Sequence, residues 1–272
     1  MCEPIRVVET HISWVLLTGE IAYKIKKPLR LSFLDYSTLE RRRWLCEEEL
    51  RLNRRLAPGL YLGVSTIRGT TQAPRIGDEG AALEYAVRMR QFAPGDELSA
   101  LLAAGAVSTG DVAGLGASIA RFHAAAAVAP EQSEFGRPAT VRRVTLDNFA
   151  ELRALPEAAQ WRERLLELEA RVTGLHDVLR PLMVERRTRG RVRECHGDLH
   201  CGNVVRWEGE LTPFDGIEFD PALRYIDVVN DIAFLAMDLA ERGHAGLRLA
   251  ALQAWTETLG EWDGLPLLPY YE

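Results

Sequence analysis

The sequence predicts an α+β chain of two lobes, a small antiparallel β lobe over residues 1–90 and a larger, mainly helical lobe over residues 91–272. Three observations predict it. Short β-branched and apolar runs separated by turn residues fill the first part of the chain. One long capped helix interrupts them. After Gln91 the apolar residues fall mostly at helical spacing, broken by a single hairpin pattern near residue 209.

The elements follow in order. Ile5–Val8, Ser13–Leu17 and Ile21–Lys26 read as strands, with Thr18-Gly19-Glu20 as a turn. Ser37-Thr38-Leu39-Glu40 is a capping box, and Leu39, Leu45, Leu52 and Leu56 keep helical spacing as far as Pro58-Gly59. Leu60–Ile67 and Leu83–Met89 read as two more strands. Val87-Arg88-Met89-Arg90 is then expected to form the hinge between the lobes. Asp111 reads as the cap of a helix with Val112, Leu115, Ile119 and Phe122 on one face. His123 beside that stripe reads as a packing residue. Trp161–Leu179 carries helical periodicity, and Val228, Ile232, Leu235 and Leu239 mark the core side of a later helix.

Composition narrows the function. With 272 residues, 47% of them hydrophobic, the chain is long enough for two lobes with buried cores. A formal net charge of −6 argues against non-specific nucleic-acid binding, which needs a basic surface. No run approaches the roughly 18 apolar residues of a membrane span, and the start lacks an apolar signal core. Cys2, Cys46, Cys195 and Cys201 show no Cys-x-x-Cys spacing and read as reduced thiols of a cytoplasmic protein.

The stretch from Cys195 to Asp215 carries the chemistry. Val204–Trp207 and Leu211–Phe214 flank Glu208-Gly209-Glu210, a tight hairpin pattern. With Gly209 at its tip, Asn203 faces Asp215, and Asp198 enters on the same side. His196, Asp198 and Asn203 reproduce the His-x-Asp-x-x-x-x-Asn spacing of a kinase catalytic loop. In such a loop the aspartate takes the proton of the attacking hydroxyl, while the Asn and a following Asp, here Asp215, hold magnesium against nucleotide phosphates. A zinc reading of Cys195, His196, Asp198, His200 and Cys201 leaves Asn203 and Asp215 without a role.

The rest of a kinase site can be sought at matching positions. Lys24 and Lys26 share one strand face, so both are candidates for the phosphate-positioning lysine, and Ala22-Tyr23-Lys24 favours Lys24. A solvated strand face accounts for Lys27 and extends to Lys26. Glu47, Glu48 and Glu49 are contiguous on the helix, so only one can point at the sheet, and the other two read as solvated. Backbone groups at Val87 and Met89 are expected to hold the adenine ring. Glu218 and Asp220 are candidates either for a contact near the metal or for pairing with Arg224. No Gly-x-Gly-x-x-Gly loop lies between the first two strands; Glu9-Thr10-His11-Ile12-Ser13 stands there instead.

His196-Gly197-Asp198-Leu199-His200-Cys201-Gly202-Asn203 resembles the signature of the aminoglycoside phosphotransferase and choline kinase-like families, which have a two-lobed protein-kinase-like fold. More narrowly, Glu9-Thr10-His11-Ile12-Ser13-Trp14, Ala22-Tyr23-Lys24-Ile25-Lys26-Lys27 and Leu52-Asn53-Arg54-Arg55-Leu56 resemble bacterial bifunctional aminoglycoside phosphotransferase/ATP-binding proteins. The resemblance implies ATP and Mg2+ as cofactors, a small-molecule hydroxyl acceptor, and a P-loop ATP-binding domain or protein as partner. It selects Glu49 through its Glu-x-x-x-Asn pattern with Asn53, gives His196 a bracing role, and assigns Asp227 to bracing the catalytic loop. It also implies further helices beyond Glu272, so the helical lobe is expected to be truncated. The rival readings are a nucleotide-binding regulator without turnover and a metal-dependent hydrolase.

Overall fold

The computed structural model of the chain describes residues 5–31, 34–77 and 79–272. Its first part supplies six strands, β1 (Arg6–Glu9), β2 (Ser13–Leu17), β3 (Ile21–Lys26), β4 (Tyr61–Thr70), β5 (Ala73–Ile76) and β6 (Ala82–Arg90). They form one antiparallel sheet in the order β1-β2-β3-β6-β4-β5. The exposed β5 was not expected; Pro74 and the lack of an apolar alternation hide it, and it pairs only at the sheet edge.

Helix α1 (Leu39–Asn53) separates β3 from β4 in the chain. Its cap is Thr38, whose hydroxyl accepts from Arg41 N at 3.3 Å, rather than Ser37. Next come α2 (Leu98–Ala103), α3 (Thr109–Ala125), α4 (Pro138–Ala154) and α5 (Arg162–Thr188). Asp111 does not cap α3: Ser108 Oγ accepts from Asp111 N at 3.1 Å, and Asp111 Oδ2 accepts from Ser108 N at 2.8 Å. This is a reciprocal box that starts one turn earlier. Strands β7 (Val192–Glu194), β8 (Val204–Trp207) and β9 (Glu210–Pro213) follow, then α6 (Pro221–Arg224), β10 (Tyr225–Asp227), α7 (Val228–Glu241) and α8 (Ala245–Leu259). Among the described residues no helix is long and apolar enough to cross a membrane.

Two compact units emerge, Met1–Leu115 with Asp198–Arg224, and Gly116–Gly197 with Tyr225–Glu272. This division differs from a cut at residue 90, because the β8–β9 hairpin packs with the sheet. In the first unit Val205, Trp207 and Phe214 join Ala22, Leu60, Tyr61, Val87 and Met89 in one apolar cluster. In the second, β7 pairs with β10, and α7 buries Val228, Ile232, Leu235 and Leu239 at the expected helical spacing. Gly116 of α3 lies so close to α8 that a Cβ there would come within 2.3 Å of the Ala251 carbonyl oxygen. Cys46, Cys195 and Cys201 are buried, while Cys2 lies outside the described residues.

Candidate active site

The site begins with two periodicities. Alternation along β3 puts Lys24 and Lys26 on one face. The 3.6-residue repeat of α1 turns Glu49 inward with Leu45, Cys46 and Leu52, and Glu49 is fully buried. One Glu49 oxygen accepts from Lys24 Nζ at 3.0 Å and the other from Lys26 Nζ at 2.6 Å. Burial alone would raise the Glu49 carboxyl pKa, but the two ammoniums reverse this and hold it at about 2. Glu47 pairs outward with Arg43, as a solvated residue does. Glu48 is not solvated; it is largely covered and binds Arg51 and Arg224.

Each lysine has a second carboxylate. Lys24 Nζ donates to Asp215 Oδ1, and Lys26 Nζ donates to Glu218 Oε1. The carboxylates of Asp215 and Glu49 keep the Lys24 pKa well above its ordinary value despite the opposing effect of burial. Lys26 is fully buried, which corrects the solvated reading. Lys27, on the other face, binds Glu9 at 2.6 Å and the Thr10 carbonyl at 2.6 Å. Glu218 does not pair its carboxylate with the Arg224 side chain. Arg224 instead donates to the Glu218 backbone carbonyl, and Asp220 accepts from Ala222 N at 2.8 Å at the head of α6.

The hairpin delivers the other groups in a slightly different register from the one expected. Trp207 pairs with Glu210, so the turn is Glu208-Gly209, both with positive φ (52° and 90°), as in a type I′ turn. Asn203 therefore faces Phe214, whose N–H donates to the Asn203 carbonyl at 2.9 Å, and Asp215 stands one residue further on. Asn203 Nδ2 donates to the Asp198 backbone carbonyl at 3.0 Å and to Asp198 Oδ2 at 2.9 Å. Both partners are pure acceptors, so the amide nitrogen must face them, which leaves Asn203 Oδ1 turned away as an acceptor.

Asp215 occupies the left-handed region at φ 62°, uncommon for a residue with a Cβ. Two side chains hold this conformation. Tyr61 Oη accepts from Asp215 N at 3.0 Å, and Asn53 Oδ1 accepts from Gly216 N at 2.8 Å. Asn53 sits one turn beyond Glu49 and donates to the Glu49 carbonyl at 3.0 Å, so one face of α1 serves both lysines and the Asp215 backbone. Sequence reasoning used Asn53 only as a pattern match and missed Tyr61 altogether.

The loop before Asp198 is braced from α7, but not by Asp227. Asp227 caps α7 by accepting from Val229 N at 2.9 Å and forms a two-pronged pair with Arg186 at 2.8 Å on each oxygen. The brace is Asp231, one turn inside the helix. It accepts from His196 N at 3.1 Å and from Gly197 N at 2.9 Å. His123 Nε2 lies 2.9 Å from Asp231, and Trp255 Nε1–H donates to His123 Nδ1 at 3.0 Å. Because indole only donates, Nδ1 accepts and Nε2 carries the proton. Burial would raise the Asp231 pKa, yet His123 and the loop amide keep it below the ordinary value. His123 is thus a fully buried packing residue, as expected. His196 is likewise buried, with its backbone fastened by Asp231. His123, Cys195 and Asp231 bring ligand-type atoms within 4.8 Å of one another, but both imidazole nitrogens are engaged, so this cluster is not a metal centre.

Val87 and Met89 need a correction. They lie within β6, not in a connection, and β6 is flanked by β3 and β4. Val87 faces Lys24 on one side and Val64 on the other; Met89 faces Ala22 and Tyr61. Their backbone groups are committed to the sheet ladder on either side, and their side chains are in the core. Val87 is fully buried and Met89 nearly so, which leaves neither able to offer the backbone hydrogen bonds expected of them.

A strand lysine shared between a helix glutamate and an aspartate that follows a hairpin, with an Asp–Asn pair at the head of that hairpin, defines the protein-kinase-like class of phosphotransferases. Comparison with known proteins makes this specific. The chain belongs to the Phosphotransferase enzyme family, whose profile matches residues 39–268. Uncharacterized protein Rv2004c of Mycobacterium tuberculosis and Uncharacterized protein Mb2027c of Mycobacterium bovis are each 30% identical over 267 residues, 98% of this chain and 52% of theirs. The chain thus spans about half the length of the curated relatives it matches. Among solved structures, a glucosamine kinase aligns with a TM-score of 0.54 at 17% identity, covering 98% of this chain and 69% of that one. The aminoglycoside phosphotransferase APH(3'')-Id of Streptomyces rimosus aligns with a TM-score of 0.51 at 17% identity, covering 98% and 90%. At that identity the likeness is one of fold.

Proposed function

We propose that this chain is an ATP-dependent phosphotransferase that moves the γ-phosphate to a hydroxyl of a small molecule. The observation that carries the reading is the Lys24 ammonium held between Glu49 and Asp215, in the same compact unit as the Asp198–Asn203 pair.

The donor set fits magnesium, which takes hard oxygen ligands and keeps several waters. Asn203 turns Oδ1 away from its partners, and the Asp215 side chain is 37% exposed. Asn203 and Asp215 would hold the metal, which when bound neutralises charge on the nucleotide phosphates. Lys24 would exchange its contact with Asp215 for one with phosphate while Glu49 keeps it aimed. Asp198, whose side chain is 40% exposed, is oriented by Asn203 so that a carboxylate oxygen can accept the proton of the acceptor hydroxyl. Most of the rate gain would come from positioning and charge neutralisation.

The test is the melting temperature of wild type and Asp215→Ala with and without Mg-ATP, followed by ADP release across a panel of alcohols. A ligand that binds only the folded state raises the melting temperature by mass action. The reading expects a magnesium-dependent shift in wild type that Asp215→Ala loses. It also expects Asp198→Asn to keep that shift while turnover falls by about 10²–10⁴-fold. Equal loss of binding and turnover in Asp198→Asn would overturn the assignment. ADP release that no alcohol stimulates would favour a hydrolase.

A further inference from the structure

Phosphotransfer as proposed uses Lys24 and leaves a second buried lysine unexplained. Lys26 is fully buried, and all three of its protons have acceptors: Glu49 Oε2 at 2.6 Å, Glu218 Oε1, and Tyr36 Oη at 3.4 Å. Tyr36 Oη in turn donates to Glu218 Oε1. Removing unlike charges from water is costly, and replacing a buried ion pair by apolar groups is often neutral or stabilising, so added stability does not account for this one.

Two geometric facts say what this pair specifies. Both Glu49 oxygens are used, one by each lysine, so Lys26 sets the roll of the carboxylate and leaves the other oxygen directed at Lys24. Glu218 lies three residues after Asp215, on a segment fastened to α1 at Gly216 through Asn53 and at Arg224 through Glu48. We infer that Lys26 and Glu218 are positioning residues, a buried clamp that orients Glu49 toward Lys24 and sets the Asp215 segment relative to β3, without touching the nucleotide. This rests on the phosphotransferase reading above. It also changes the role of Lys26, which the sequence offered as a direct phosphate ligand.

The experiment is a double-mutant cycle on Mg-ADP affinity, read by thermal shift and by fluorescence titration. Lys26→Met alone would strand two buried carboxylates, so the variant is Lys26→Met/Glu218→Gln, which removes both charges together. It is combined with Lys24→Ala. If the clamp works through Lys24, the paired variant keeps a cooperative melt, binds Mg-ADP about tenfold more weakly, and loses little more when Lys24→Ala is added. Losses that multiply would mean that Lys26 contacts the nucleotide itself and would overturn the inference. A lowered melting temperature with unchanged affinity would mean a purely structural pair and would also overturn it. If the paired variant does not fold, Glu218→Gln alone carries the same cycle, since it removes one charge at constant volume. Wild type that shows no magnesium-dependent shift would instead refute the nucleotide site, an outcome separate from either result.

Discussion

Asp231→Asn is a nearly isosteric change that the geometry makes severe. All three partners of Asp231 are donors: the N–H groups of His196 and Gly197, and His123 Nε2, whose proton is fixed there by the Trp255 contact at Nδ1. An amide offers one accepting oxygen and one donating nitrogen. The less damaging rotamer leaves oxygen facing His196 and His123 and sets NH₂ against Gly197 N–H. One buried charge-assisted hydrogen bond is then replaced by a donor–donor contact, a cost of about 3 kcal/mol. For a chain of this size that lowers the melting temperature by about 6–12 °C. The assay is calorimetric melting against Asp147→Asn, which removes only an exposed pair with Arg143 and should stay within about 0.5 kcal/mol of wild type. Melting of Asp231→Asn within about 1 °C of wild type, with Asp227→Asn showing the larger loss of turnover, would refute the assignment of the brace.

Two further outcomes can be checked on stability alone. Gly116→Ala should destabilise by about 1–3 kcal/mol, although alanine is the better helix former by about 1 kcal/mol, because its Cβ meets the Ala251 carbonyl; a raised melting temperature would contradict the close approach of α3 and α8. Glu49 and Asp231 both ionise more readily folded than unfolded, so their contribution is complete above about pH 4.5 and is lost as pH falls through their folded values, about 2 for Glu49. Glu49→Gln should flatten that acid slope by up to about 1.4 kcal/mol per pH unit, and an unchanged slope would count against the buried ion pairs.

What could be read in the sequence was what local periodicity determines. Alternation in β3 singled out Lys24 and Lys26, the helix repeat allowed only one of Glu47, Glu48 and Glu49 to face the sheet while the family pattern with Asn53 chose Glu49, and a two-strand pattern around Gly209 brought Asn203 close to Asp215. The misreadings share a cause. Glu208-Gly209 and Gly209 alone are both plausible tips for that pattern, and the choice moves the register by one residue. Asp227 has the position of a helix cap and acts as one; that Asp231 reaches the loop instead depends on how α7 packs beneath residues 196–197. Glu218 finds Lys26 across 192 residues and Tyr61 finds the Asp215 amide across 154, separations at which no periodicity operates. Val87 and Met89 were given free backbone groups because the sequence does not show that β6 lies between β3 and β4, which pair with it on both sides.

The spacing of Glu49 and Asn53 has a consequence for how this chain can vary. The two side chains reach a lysine pair and a backbone amide at different places in the unit, yet they hang from a single face of one helix. An α-helix advances about 100° per residue, so inserting or deleting one residue between them would swing one group away whenever the other was in place. Length change in α1 before Glu49 shifts the capped end and leaves both groups in phase with each other. The four-residue spacing from Glu49 to Asn53 works as a fixed ruler, and insertions in this region should be found only outside it.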